Sequence, residues 1–148
     1  IDYSKGKIEN INVAGSKNDA LDLSNSTVEI KNFVAKNIGD KGISVGENSY
    51  LFGQNIIIDK SFLGLASKDQ SETEIENLVI TNSNIGLASY IKKNEYNSST
   101  ININKLSTSN NLQNFLFEKD SKIKIDGKIN ENFEINVFEK IYLPKKLN

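Results

Sequence analysis

The chain of 148 residues has no cysteine, histidine, methionine, tryptophan or arginine, and it has one proline. Without histidine and cysteine it can build neither a Ser–His–Asp nor a Cys–His nucleophile system. The same absences exclude a zinc site made of imidazole or thiolate ligands. No compact acidic loop supplies the six or more oxygens that Ca²⁺ requires. We therefore expect no metal site and no cofactor.

The charge balance is close to neutral, with 18 basic residues, 19 acidic residues and a net charge of −1. This balance leaves no basic patch of the kind that binds nucleic acid. No run of eighteen apolar residues indicates a membrane span. The length suffices for one domain with a hydrophobic core, and we treat residues 1–148 as a single domain. Because the chain starts at Ile1 without methionine, we expect a processed chain or a fragment of a longer protein.

A repeat runs through most of the chain. Similar stretches recur at a constant step of 22 residues when they are aligned on one small residue of each copy, and these residues are Ala20, Gly42, Gly64 and Gly86. An asparagine followed by apolar residues recurs with almost the same step, at Asn10, Asn32, Asn55 and Asn77. An insertion, IKKNEYNSS at residues 91–99, lengthens one step to about 28.

Each copy contains three short segments with the alternation of a strand. Val28 and Ile30, or Ile101 and Ile103, alternate with polar residues, and this period of two is typical of a half-buried strand. Three strands per copy, without a helix-length periodic segment, describe one rung of a solenoid. The sequence therefore predicts about six rungs of ~22 residues, stacked in parallel about 4.8 Å apart.

This pattern resembles the right-handed, single-stranded parallel β-helix of the pectate-lyase-like superfamily. The resemblance covers roughly residues 4–130 and rests on the repeated asparagine and on the Gly-apolar-x-apolar signature. The stretches GDKGISVGENS, SKD and YIKK also resemble β-helix regions of bacterial surface proteins. The resemblance implies an all-β fold and a secreted or cell-surface location. It is poorly specific for function, since such folds host lyases, hydrolases, epimerases and adhesins.

The stretch GDKGISVGENS, residues 39–49, has two interpretations. A phosphate-binding loop would need the pattern GxxxxGK[ST] between a strand and a helix, and the chain has neither that lysine nor that helix. We therefore interpret the stretch as a corner of the repeat. In this corner Gly39 and Gly42 would provide backbone angles that a side chain penalises, while Ile43 and Val45 point into the core.

The repeat also predicts ladders of equivalent side chains. We expect the four asparagines to form a structural ladder at one inward corner, with their amides hydrogen-bonded along the axis. Two apolar ladders should fill the interior. The first comprises Leu21, Ile43, Leu65, Leu87 and Phe115, and the second comprises Ile11, Phe33, Ile56, Leu78 and Leu106.

Outward positions carry any binding function. The outward residues of the first strand of each rung are typical of an ordinary solvated face. On the second strand Val34, Ile57 and Val79 form an apolar row, which either reflects strand propensity or is covered by a partner such as another domain of the same protein. The C-terminal segment, residues 133–148, is a candidate cover or end cap.

The third strand carries the most suggestive polar set. Its outward positions, Asp22, Ser44, Ala66 and Ala88, predict a shallow floor. A candidate carbohydrate-binding rim lies beyond it, comprising Glu47, Lys68, Asp69, Tyr90, Lys92, Lys93 and Tyr96. Sugar rings would stack on tyrosine, and their hydroxyls would meet lysine and carboxylates. Alternatively, these charged residues only solvate the corners and pair along the stack.

We therefore expect a non-catalytic module that binds a polysaccharide or scaffolds a neighbouring domain. One alternative is a polysaccharide-active enzyme of the lyase or epimerase type, and another is a purely structural spacer. Lys68 is the candidate base for β-elimination. We expect it to be solvent-exposed at a corner and held in its charged form by Glu47 and Asp69, which would exclude that role.

Overall fold

The computed structural model describes residues 1–143, and most of them lie in β-strands. The strands are β1 (Lys5–Ala14), β2 (Leu21–Ser24), β3 (Thr27–Gly46), β4 (Tyr50–Lys68), β5 (Glu72–Thr81), β6 (Ile85–Tyr90), β7 (Thr100–Ser109), β8 (Gln113–Phe117), β9 (Lys122–Ile125) and β10 (Lys128–Ile129). A short helix, α1 (Val137–Tyr142), follows them.

The strands stack in parallel as successive turns of one coil. Thr27 of β3 pairs with Tyr50 of β4, which pairs with Glu72 of β5, which pairs with Thr100 of β7. The result is a β-solenoid of about six turns, spaced about 22 residues apart in sequence and compatible with a parallel β-helix. The predicted fold class is therefore confirmed.

The hydrophobic core runs along the axis of the coil. Ile43, Leu65 and Leu87 occupy equivalent positions in parallel register and have no exposed surface. The second apolar ladder is aligned in the same way, as the pairing of Phe33 with Ile56 shows. Each such side chain contributes roughly 1.5–3 kcal/mol when it is fully buried, so these ladders dominate the stability of the fold.

The repeated asparagines form a ladder on the outside of the coil. The side-chain amide of Asn32 donates to Oδ1 of Asn10 at 3.0 Å, that of Asn55 to Asn32 at 3.1 Å, and that of Asn77 to Asn55 at 3.3 Å. The expectation of an inward corner is wrong, because Asn10, Asn32 and Asn55 are exposed. These three residues turn the chain in the left-handed region, which asparagine tolerates well, and the flanking apolar residues enter the core instead.

A buried serine ladder marks another corner, just before the first strand of each rung. Its members are Ser26, Ser49, Ser71, Ser99 and Ser121, each at most 3 % exposed. The backbone N–H of Ser26 donates to Oγ of Ser49 at 3.0 Å, and that of Ser49 donates to Oγ of Ser71 at 3.1 Å. The hydroxyls thus satisfy backbone donors that the turn would leave unpaired.

The repeated glycines are required by close approach of successive rungs. A Cβ atom at Gly42 would lie 2.7 Å from the carbonyl oxygen of Gly64, and one at Gly64 would lie 2.6 Å from that of Gly86. A Cβ at Gly39 would lie 2.3 Å from the carbonyl oxygen of Lys17. None of these glycines adopts a positive φ, so the predicted role in unusual backbone angles is wrong.

The two ends of the coil are built differently. In the described part of the chain, β1 pairs with β3 on one side and forms the edge of the sheet on the other. At the opposite end β10 turns back antiparallel to β9 through Asp126 and Gly127. The segment that follows returns along the side of the coil, where the N–H of Glu134 donates to the carbonyl of Phe117 at 2.8 Å.

The candidate cap at residues 133–148 is therefore described only in part. Its portion up to residue 143 lies against a side of the coil, and residues 144–148 lie outside the described residues. The described portion, residues 133–143, does not cover the apolar row of the second strand. There Ile57 is 41 % exposed, and Val34 and Val79 are half-buried.

Candidate functional site

The third face of the coil is the outer side of β2, of the last parts of β3 and β4, and of β6 and β8. The predicted floor residues stack here in register in the order Asp22, Ser44, Ala66 and Ala88, and Leu116 continues the row on the next rung. Val137 and Ile141 of α1 pack in one buried cluster with Ala66, Ala88 and Leu116. The helix thus covers the C-terminal half of the floor, where Ala66 and Ala88 have no exposed surface.

Tyr90 is part of this covered region. Its ring has no exposed surface, and its hydroxyl lies 2.8 Å from that of Tyr142. The two rings meet edge to face with their centroids 6.2 Å apart. Burial raises the pKa of Tyr90 well above its usual value, and the contact with Tyr142 adds to the shift. The ring holds the C-terminal segment in place and is not available to stack on a sugar.

Lys68 is buried as well, with 8 % of its surface exposed. Its Nζ donates to Oγ of Ser44 at 2.6 Å and lies 3.7 Å from Oδ1 of Asp22. Burial lowers the pKa of Lys68, and Asp22 offsets this only in part. The expectation of an exposed corner lysine is wrong, because the side chain runs back along the stack over Gly46, where a Cβ would lie 2.8 Å from Nζ.

Asp69 anchors the inserted loop at residues 91–99. Its carboxylate is fully buried, and Oδ1 accepts the backbone N–H groups of Lys92 at 2.6 Å and Lys93 at 2.8 Å. Hydrogen bonds to a charged acceptor contribute about 1.5–3 kcal/mol each. Asp69 therefore positions the loop, whereas the amine of Lys68 contacts Ser44 and Asp22.

Glu47 supports the same loop from the neighbouring rung. It accepts hydrogen bonds from Nζ of Lys93 and from the hydroxyl of Ser24, and these bonds lower the pKa of Glu47. Tyr96 is half-buried in the loop, where its N–H donates to the carbonyl of Lys93 at 3.1 Å. The predicted rim residues are thus brought close together, and most of them are occupied in fixing the loop.

A cleft of about 590 Å³ opens between the inserted loop and the C-terminal segment. Its lining residues are Ile91, Lys92, Asn94, Glu118, Asn136, Val137, Phe138 and Glu139. Of the predicted rim residues, Lys92 lines this cleft. The longer repeat step at residues 91–99 indicated the inserted loop from the sequence. No feature of the sequence indicated that this loop would lie beside the C-terminal segment and form a cleft with it.

The cleft combines an exposed ring with charged groups. Phe138 is 42 % exposed and packs on Tyr142 with ring centroids 4.6 Å apart. Nζ of Lys92 lies 5.3 Å from the centroid of the Tyr142 ring, within the range of a cation–π contact. Glu118 accepts the N–H of Ile91 at 3.0 Å, and burial, reinforced by Asp69, raises the pKa of Glu118.

The first face, the outer side of the first strand of each rung, contains features that the sequence reading missed. Two rows of outward side chains, here called the first-face rows, run along the axis. One is Lys5, Thr27, Tyr50, Glu72, Thr100 and Lys122, and the other is Lys7, Glu29, Phe52, Glu74, Asn102 and Lys124. The alternation of Tyr50 and Phe52 with the buried Leu51 was the available signal for this aromatic rung.

Within residues 1–143, no group of three or more acidic side chains is placed to hold a metal ion. No helix in the same range is long and apolar enough to cross a membrane.

These features define a parallel β-solenoid protein whose regular coil carries a lateral cleft made by two non-repeating segments. In comparisons with known proteins, the chain matches no family model, no curated protein and no solved structure.

Proposed function

We propose that the protein is a non-catalytic β-solenoid module, secreted or displayed at a bacterial surface, that binds a glycan in the lateral cleft. The observation that carries this proposal is the cleft itself, where a ring, a lysine and a carboxylate surround one cavity. Insertions into a repeat commonly form the binding face of a solenoid. Here the inserted loop and the C-terminal segment are the two main departures from the repeat.

The chemistry of the cleft matches that of a sugar. A sugar offers an apolar C–H face to an aromatic ring and a rim of hydroxyls to polar groups. Phe138 can provide the platform, while Lys92 and Glu118 can donate to and accept from hydroxyls. A volume of 590 Å³ lies within the range of about 300–1,000 Å³ that is common for small-ligand sites.

The rigidity of the loop also supports binding. Asp69 holds two consecutive backbone N–H groups of the loop, and Glu47 holds the side chain of Lys93. A loop that is already ordered does not lose further conformational freedom when a ligand binds. Asp69 and Glu47 thus support binding indirectly, because they keep the loop in one conformation.

A lyase-type enzyme is the second candidate, and Lys68 is the observation that favours it. A base in β-elimination must be neutral near the working pH, and burial lowers the pKa of Lys68. However, Ser44 beside it has no exposed surface and Lys68 itself is 8 % exposed. A substrate would have to displace the covering side chains before it met the amine, so we favour the binding module.

The test is a binding screen of the wild type against immobilised neutral and uronate polysaccharides, followed by calorimetry with oligosaccharides of the best ligand. We expect Lys92→Ala and Asn94→Ala to weaken binding. Lys36→Ala, an exposed lysine of the second face, is the control and should not change it. Unchanged affinity in the combined Lys92→Ala/Asn94→Ala variant would reject the cleft as the site.

The same screen separates the alternatives. A wild type that binds no member of the panel would support the structural-spacer interpretation. Release of unsaturated products from uronate polymers by the wild type, lost in Lys68→Met, would replace the module by the enzyme.

A further inference from the structure

A groove on the first face is separate from the lateral cleft. Two hollows lie between the first-face rows, one of about 390 Å³ toward the N-terminal end and one of about 260 Å³ toward the C-terminal end. Tyr50 and Phe52 border the first hollow, and their neighbours Glu72 and Glu74 on the next rung border the second. The aromatic rung therefore stands between the two hollows.

The floor of this groove is strand backbone. Gly6 and Val28 line the first hollow and Ile101 lines the second. The alternating residues of the two rows stand up on either side as walls, as outward side chains do on any pleated strand. Six rungs with five steps of about 4.8 Å give the groove a length of roughly 24 Å.

The walls of the groove are positive at both ends and negative between them. Lysines occupy both rows at the first and last rungs, and carboxylates occupy positions on the rungs between them. Lys7 and Glu29 already form an ion pair of 2.7 Å. A polyanion would meet Glu72 and Glu74 in the middle, and a polycation would meet lysines at both ends. A neutral chain avoids both repulsions and can hydrogen-bond to either kind of group.

The rings of the aromatic rung are half-buried, so that part of each remains open to solvent. Tyr50 lies beside strand β5, which carries Glu74, and Phe52 stands two residues further along the same strand as Tyr50. An ordered ring with an exposed edge or face contributes binding area at a low cost in conformational entropy.

We propose that this groove is a second binding surface, which takes an unbranched neutral glycan lying along the axis with sugar rings against Tyr50 and Phe52. The inference takes the class of ligand from the proposed function and rests on different residues. The first-face groove and the lateral cleft can therefore be tested separately.

The repeat supplies substitutions that should preserve the fold. The row of Tyr50 carries threonine at two other rungs, and the row of Phe52 carries Asn102. The test variant is therefore Tyr50→Thr/Phe52→Asn. The matched control is Ile57→Ser on the same strand, because Ser107 occupies the equivalent row of the second face.

The experiment titrates wild type, test variant, control and Lys92→Ala/Asn94→Ala with cellohexaose, chitohexaose and hexagalacturonate by calorimetry. Circular dichroism melts verify that each variant is folded. We expect the wild type to bind at least one neutral hexamer more tightly than the uronate. The test variant should bind it roughly tenfold more weakly, the loss typical of a central aromatic contact. The control should bind as the wild type does.

Three results would overturn the proposal that the groove binds a neutral glycan. They are no binding of the neutral hexamers by the wild type, tighter binding of the uronate, and unchanged affinity in the test variant. Loss of neutral-glycan binding only in Lys92→Ala/Asn94→Ala would reject the groove and support the cleft. Loss only in the test variant would support the groove and reject the cleft.

Discussion

Replacing Gly64 by alanine tests whether close packing of the rungs explains the glycine repeat. The new Cβ would lie 2.6 Å from the carbonyl oxygen of Gly86 and 2.8 Å from Cγ2 of Ile80. The isoleucine side chain can rotate away. The carbonyl belongs to the adjacent rung and can move only if the two rungs separate.

The expected magnitude follows from two opposing effects. Overpacking of this kind costs about 1–3 kcal/mol. Replacing glycine by alanine also restricts the unfolded chain, which stabilises the fold by about 0.4–1 kcal/mol where the backbone conformation is compatible. We therefore expect Gly64→Ala to lower the free energy of unfolding by about 1–2 kcal/mol.

Gly6→Ala is the matched control. A Cβ at Gly6 would meet no atom within 4 Å, and Gly6 does not adopt a positive φ. Only the effect on the unfolded chain remains, so this variant should be as stable as the wild type or slightly more so. The assay is urea unfolding followed by far-UV circular dichroism. A Gly64→Ala variant that matched Gly6→Ala in stability would refute the packing argument.

Three further outcomes are expected. Leu65→Ala should lower the free energy of unfolding by about 2–5 kcal/mol in urea melts, because Leu65 is fully buried between rungs; a loss below about 1 kcal/mol would contradict the ladder. The pKa of Tyr90 is raised in the folded state, so the unfolded chain ionises first and stability should fall above about pH 10, by up to about 1.4 kcal/mol per pH unit. In thermal melts from about pH 8 to 11, Tyr90→Phe should lose less stability with rising pH than the wild type does. The same loss in both proteins would contradict the assignment of this pH dependence to Tyr90. Asp69→Ala should free the loop N–H groups and speed proteolysis at the inserted loop, whereas cleavage at the wild-type rate would show that Asp69 is not its anchor.

The third face shows why the site was harder to predict than the fold. The spacing of Ser44 and Ala66 placed both residues correctly in one outward row. Nothing in that spacing indicated that α1 would bury Ala66 or that Lys68 would be covered. Exposure of an outward residue depends on what packs over it, and here the covering segment lies about 70 residues further along the chain.

The sequence alone determined the coil. A strand alternates its side chains with a period of two, and a repeat step of 22 residues brings equivalent positions into register. Local pattern and periodicity therefore suffice to place Ile43 and Leu65 in the core and to align the asparagines in one ladder, but they did not show that this ladder lies outside the coil. The tertiary structure alone decided which outward faces remain open. The inserted loop and the C-terminal segment follow no repeat, and their position depends on the shape and apolar surface of rungs that the chain has already built.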